Sequence, residues 1–85
     1  MVSFNYIITD EVGIHARPAG MLVKAAKTVA SKVVIKANGK SAEATKLMAI
    51  MGLGVKKGAE VTVEVTGDDE AEAAAKMEEF FKNNL

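Results

Sequence analysis

Residues 32–44 read Lys-Val-Val-Ile-Lys-Ala-Asn-Gly-Lys-Ser-Ala-Glu-Ala, and this stretch decides the middle of the fold. Its first part, Lys32–Ala37, is rich in β-branched residues and predicts a strand. Asn38-Gly39 is the strongest short signal for a β-hairpin, because both residues readily adopt the positive φ of a tight turn. Residues 40–44 therefore predict an antiparallel strand that returns along the first.

Two segments on either side of the hairpin alternate between apolar and polar residues, as half-buried strands do. The apolar faces are made by Phe4, Tyr6 and Ile8 in residues 2–8, and by Val61, Val63 and Val65 in Glu60–Thr66.

Three further segments predict helices. The first starts near His15 and Ala16, because Pro18 is tolerated in the first turn of a helix but not in its middle. Residues 46–53 predict one or two helical turns that end at a glycine. Asp69 and Glu72 predict a capping box before a last helix, which runs to about Asn83 and buries Ala73, Met77, Phe80 and Phe81.

The predicted order is thus β-α-β-β-α-β-α, an α+β arrangement. The strands are too few and too clearly alternating for a doubly wound parallel sheet, so we expect an antiparallel sheet with helices on one face.

The length of 85 residues predicts one domain, residues 1–85. The chain has no cysteine, which excludes disulfides, and its single histidine cannot form an ordinary zinc site. We therefore expect no metal and no cofactor. No apolar run approaches the length of a membrane span, and the first residues do not resemble a signal peptide. The sequence predicts a cytoplasmic protein that does not bind membranes.

The zero net charge conceals an uneven distribution. Residues 1–57 contain nine Lys and Arg against three Asp and Glu, whereas residues 58–85 contain two against eight. A basic face of this kind can attract an acidic protein or a nucleic acid, or it can be only a solvated surface.

His15 is the candidate reactive residue because it directly precedes a predicted helix. The first turn of a helix offers free N–H groups and a partial positive charge, which stabilise an anion. Arg17 adds a guanidinium suited to phosphate oxygens. An imidazole nucleophile beside such a cradle predicts a phosphoryl acceptor. Alternatively, His15 only caps the helix and Arg17 is an ordinary surface charge.

A second candidate surface lies in the short helix. It carries five large apolar residues, more than one or two turns can bury: Leu47, Met48, Ile50, Met51 and Leu53. Either all five are packed into the core, or some are exposed and form a docking site for another protein.

The segment Gly13-Ile14-His15-Ala16-Arg17-Pro18-Ala19 resembles the HPr family, the histidine-containing phosphocarriers of the bacterial sugar phosphotransferase system. The resemblance extends over nearly the whole chain and includes residues 38–40, 47–54, 57–62 and 67–70. It implies an open-faced β-sandwich, in which a four-stranded antiparallel sheet is covered by three helices on one face.

The resemblance also implies roles. Phosphorylated Enzyme I, charged from phosphoenolpyruvate, would phosphorylate Nδ1 of His15, and sugar-specific permease components (Enzyme II A domains) would receive the group. Such a chain acts as a phosphorylated intermediate rather than as a stand-alone enzyme, and we expect a monomer. Arg17 and the backbone amides of Ala16 and Arg17 would steady the phosphate. The residues implied in partner binding are Met21, Lys24, Leu47, Met48 and Met51.

The chain departs from many Gram-positive members of the family at one position. Where they carry a regulatory serine before the short helix, this sequence has Lys46, preceded by Thr45. We therefore expect no control by a serine kinase. If Lys46 lay inside the helix, Thr45 would be the natural N-cap.

Two other functions remain open. A carrier in nitrogen-related or regulatory phosphotransfer would use His15 in the same way. A nucleic-acid-binding module would use the basic half of the chain, but it needs exposed aromatic rings for base stacking, and the few aromatic residues are expected mainly in the core. We therefore expect no nucleic-acid partner.

Overall fold

The computed structural model describes residues 1–14 and 16–85. Its elements follow the predicted order, and most of their boundaries lie within one or two residues of the predicted ones. They are β1 (Val2–Ile7), α1 (Ala16–Ala26), β2 (Lys32–Ala37), β3 (Lys40–Glu43), α2 (Leu47–Met51), β4 (Glu60–Thr66) and α3 (Glu70–Asn84).

The four strands form one antiparallel sheet with the order β1-β4-β2-β3. The central position of β4 explains its regular alternation, because Val61, Val63 and Val65 are fully buried and neighbouring strands pair with both of its edges. The opposite face of the sheet is polar. It carries an ion pair between Lys36 and Glu64.

The predicted hairpin is confirmed. Ala37 pairs with Lys40, and the two residues between them both have positive φ, 53° at Asn38 and 75° at Gly39. Positive φ at both central residues is the geometry of a type I′ turn, whose twist matches that of the flanking strands.

The helices cover the apolar face of the sheet. Helix α3 packs on β1 and β4, α2 packs on β3, and α1 packs against both other helices. Phe81 of α3 is fully buried, and its ring makes edge-to-face contacts with Phe4 (6.1 Å between centroids), Tyr6 (5.6 Å) and Phe80 (6.2 Å). Burying such a side chain contributes about 1.5–3 kcal/mol to stability. Phe80 itself is only half-buried at the edge of this cluster.

The predicted capping box at α3 is wrong. Asp69 is the N-cap residue, but its side chain makes no capping hydrogen bond. One carboxylate oxygen accepts from the Ala30 amide at 3.0 Å, and the other accepts from the buried hydroxyl of Ser31. These bonds lower the pKa of Asp69, the Ser31 hydroxyl having the larger effect. The carboxylate thus joins the start of α3 to the loop between α1 and β2.

In the part of the chain that is described, no helix has both the length and the apolar character needed to cross a membrane.

Candidate functional site

Helix α1 starts at Ala16, as the position of Pro18 predicted. His15, the predicted phosphoryl acceptor, lies outside the described residues. Ala16 and Arg17 are exposed in the first turn of α1, where amide groups have no acceptor within the helix. A shallow hollow of about 310 Å³ lies beside them and is lined by Asp10, Arg17, Pro18, Met21 and Asn84. The start of α1 therefore has both amide donors and open space next to it.

The loop before α1 is held by hydrogen bonds of its backbone and of two side chains. The Val12 amide donates to the carboxylate of Asp10 at 2.9 Å, and the Gly13 amide donates to the carbonyl of Asp10 at 3.0 Å. The Asp10 amide and the Thr9 hydroxyl both donate to the carbonyl oxygen of Leu85, at 2.8 and 3.0 Å. The loop is thus fixed to the end of α3.

The same loop is also fixed to the segment between α2 and β4. The amide of Ile14, a buried residue, donates to the carbonyl of Val55 at 3.1 Å. Gly13 lies directly against the backbone of Val55 and Lys56, and a β-carbon on Gly13 would be 2.3 Å from the Val55 oxygen. This contact joins residues about forty positions apart in the chain, so no local sequence pattern indicates it.

The five large apolar residues in and directly after the short helix α2 divide into buried and exposed ones. Ile50 and Leu53 are buried, at 0% and 2% exposure, whereas Met48 is 77% exposed. Leu47 and Met51 are also exposed, and so are Met21 and Lys24 on α1, which packs against α2. Full burial is therefore excluded. The five residues predicted for partner binding are exposed on two neighbouring helices.

Lys46 is the N-cap residue of α2 and makes no side-chain capping bond. Its backbone is extended, with φ −112° and ψ 98°. Because Lys46 itself is the N-cap and does not lie inside the helix, Thr45 does not cap α2. Thr45 is half-buried one residue earlier. Lys46, where the resemblance implies a regulatory serine, is thus an exposed lysine at the start of α2.

The aromatic residues give no platform for stacking on bases. Phe81 is buried, while Phe4, Tyr6 and Phe80 are partly buried and packed against the core. Charge is therefore the only feature of the described surface that would favour a nucleic acid.

The chain matches a family model described as the PTS HPr component phosphorylation site over residues 2–83. It is similar to the histidine-containing phosphocarrier protein of Mycoplasma, with 35% identity, a TM-score of 0.92, and coverage of 96% of this chain and 93% of that one. It is also similar to HPr of Thermoanaerobacter tengcongensis, with 32% identity, a TM-score of 0.92, and coverage of 98% and 93%.

A further similar structure is Crh, the catabolite repression containing protein of Bacillus subtilis, described as a dimer with a swapped domain. Its identity is 33%, its TM-score is 0.78, and the match covers 100% of this chain and 98% of that one.

Proposed function

The chain belongs to the HPr family of phosphocarriers, and from this membership we propose that His15 accepts a phosphoryl group from phosphorylated Enzyme I and passes it to sugar-specific Enzyme II A domains. The Nδ1 lone pair forms the new bond to phosphorus, while the bond between phosphorus and the donor breaks and leaves its electrons on the donor. Transfer onward repeats the exchange in the opposite sense, with His15 as the leaving group.

The observation that carries this proposal is the match of the family model across residues 2–83, which include His15 and the start of α1. The geometry around that start supports it. The first-turn amides of Ala16 and Arg17 can donate to phosphate oxygens, and the partial positive charge of the helix end favours an anion. Arg17 supplies a fixed positive charge and a fork of N–H donors.

Partner docking is proposed at the exposed apolar residues of the two neighbouring helices. Met21 and Lys24 lie on α1, and Leu47, Met48 and Met51 lie on α2. The flexible methionine side chains can adapt to partners of different shape, which a carrier with one donor and several acceptors requires. Lys24 and Lys46 add positive charge, which favours an acidic partner.

The direct test is incubation of the chain with phosphoenolpyruvate, Mg²⁺ and a purified bacterial Enzyme I. We expect a mass gain of one phosphate that is lost in acid, because a phosphorus–nitrogen bond is acid-labile. The His15→Ala variant should show no gain and an unchanged far-UV circular dichroism spectrum. Acceptance of phosphate by that variant would contradict the assignment of His15.

The similarity to Crh supports a second candidate, a carrier whose phosphorylation serves regulation rather than sugar uptake. The two functions separate at the second step. Loss of the phosphate from the carrier when a sugar-specific Enzyme II A domain is added would support the first function, and retention under the same conditions would support the second. Sedimentation of the same preparation tests the predicted monomer against the dimer described for Crh.

A further inference from the structure

Asn38 makes contacts beyond the hairpin turn in which it lies. Its side-chain nitrogen is 2.9 Å from the carbonyl oxygen of Leu53 and 3.4 Å from that of Gly54. Both neighbours are hydrogen-bond acceptors, so the amide must present its NH₂ group to them. The Asn38 side chain thus joins the β2–β3 turn to the segment that follows α2.

The segment it holds, residues 52–59, has little regular structure of its own. It contains three glycines, and Gly54 and Gly58 have positive φ of 66° and 87°. The end nearest β4 is secured by the residue that follows β1, because the Gly58 amide donates to the carbonyl of Ile8 at 2.8 Å. The end nearest α2 is secured from outside by Asn38.

Val55 lies between these two fixed ends and carries the contact with the loop before α1. Its carbonyl accepts from the Ile14 amide, and its backbone lies against Gly13. A connected path therefore runs from the Asn38 side chain through Leu53 and Gly54 to Val55, and from there to Ile14, the residue directly before His15.

We propose that Asn38 is a positioning residue for phosphoryl transfer: it fixes the 52–59 segment on which Gly13 and Ile14 rest, and so fixes the backbone that leads into His15. This inference depends on the proposed role of His15. Small displacements of a reacting group can slow a transfer by up to about a hundredfold, so a loosened support should affect the chemical step more than the docking of the partner.

Two substitutions separate the side-chain contact from the turn. Asn38→Gly keeps the positive φ of the turn and removes the amide. Asn38→Asp keeps the size of the side chain but places a carboxylate against two carbonyl oxygens. The control is Thr62→Val, which removes a hydrogen bond of 2.8 Å to Asn5 on the exposed face of the sheet.

Phosphorylation kinetics with Enzyme I as donor give the first measurement. We expect kcat to fall about tenfold in both Asn38 variants, with KM for the carrier within about twofold of the original. Thr62→Val should leave both constants unchanged. An unchanged kcat, or a loss confined to KM, would overturn the positioning role.

Amide hydrogen exchange gives a second measurement that needs no Enzyme I, so it tests the supporting path from Asn38 to Ile14 separately from the role of His15. The exchange protection of the Ile14 amide should fall about tenfold in both Asn38 variants, while that of Val63 in the central strand stays the same. Equal loss at Ile14 and Val63 would show only general destabilisation and would reject the path.

Discussion

Gly13 and Val55 touch through their backbones, although forty-two positions separate them in the chain. A β-carbon on Gly13 would lie 2.3 Å from the carbonyl oxygen of Val55 and 2.6 Å from the Cα of Lys56. Gly13 also has φ +81°, a conformation that L side chains rarely adopt. The approach of the loop before α1 to the 52–59 segment therefore requires glycine for two separate reasons.

We expect Gly13→Ala to destabilise the chain more than the left-handed conformation alone can explain. That conformation costs about 1–2 kcal/mol for a residue with a β-carbon, and the contact with Val55 adds to it. The matched control is Gly58→Ala, since Gly58 has φ +87° but nothing within 4 Å of its added β-carbon. Urea unfolding measures both variants, and equal losses would show that the contact with Val55 relaxes freely.

We expect Arg17→Ala to slow phosphoryl transfer without changing stability, because Arg17 is exposed in the first turn of α1. Removing one charged hydrogen-bond donor should cost about 1.5–3 kcal/mol of stabilisation of the bound phosphate. Arg17→Lys should recover only part of the rate, since it restores the charge but not the planar fork. Lys40→Ala, on the exposed hairpin, controls for the loss of one positive charge, and unchanged rates in Arg17→Ala would mean that the backbone amides suffice.

We expect Met48→Glu to weaken docking of Enzyme I while leaving the melting temperature within a few degrees. The side chain is 77% exposed, so a carboxylate there stays in water. The matched control is Ile50→Glu two positions later, where exposure is 0% and a buried charge should unfold the chain. Thermal melting and KM for the carrier are the measurements. A large drop in melting temperature for Met48→Glu would place this residue in the core instead.

We expect Asp69 to stabilise the fold in a pH-dependent way. The hydrogen bonds with Ser31 and Ala30 lower the pKa of Asp69 below the ordinary value of 3.8. The stabilisation of the fold by the ionised carboxylate is therefore fully present above the pKa that Asp69 has in the unfolded chain. The contribution is lost as pH falls through the lower, folded-state pKa. The difference in urea midpoint between the original chain and Asp69→Asn should be constant near neutrality and shrink below about pH 4. A difference that persists unchanged in acid would refute the linkage.

We expect no phosphate on Thr45 or Lys46 after incubation with ATP and the serine kinase that acts on Gram-positive members of the family. Lys46 has no hydroxyl, and Thr45 is half-buried one residue before the start of α2. The variant Lys46→Ser should become a substrate, because it returns a hydroxyl to the exposed N-cap position. Mass-spectrometric mapping of a phosphate to Thr45 in the original chain would contradict this expectation.

The parts of the candidate site that sequence could predict are those that depend on neighbours along the chain. The position of Pro18 predicted the start of α1, and the excess of apolar residues in a short helix raised the possibility of an exposed surface. Sequence could not decide which of those residues face solvent, because Met48 and Ile50 are both apolar and their exposure depends on which side of α2 meets the core. The contacts of Gly13 and Asn38 with residues 53–56 could not be predicted either, because they join segments that are distant along the chain.

The sequence by itself determined the local elements. Asn38-Gly39 makes a type I′ turn because its conformation depends on two residues alone, and the alternation in Glu60–Thr66 makes a strand because side chains on a strand point alternately to its two faces. Only the tertiary structure decided that β4 lies between β1 and β2, and that Asp69 bonds Ser31 rather than capping its own helix. These contacts join residues tens of positions apart. The stabilisation they provide depends on partners that no local sequence pattern identifies.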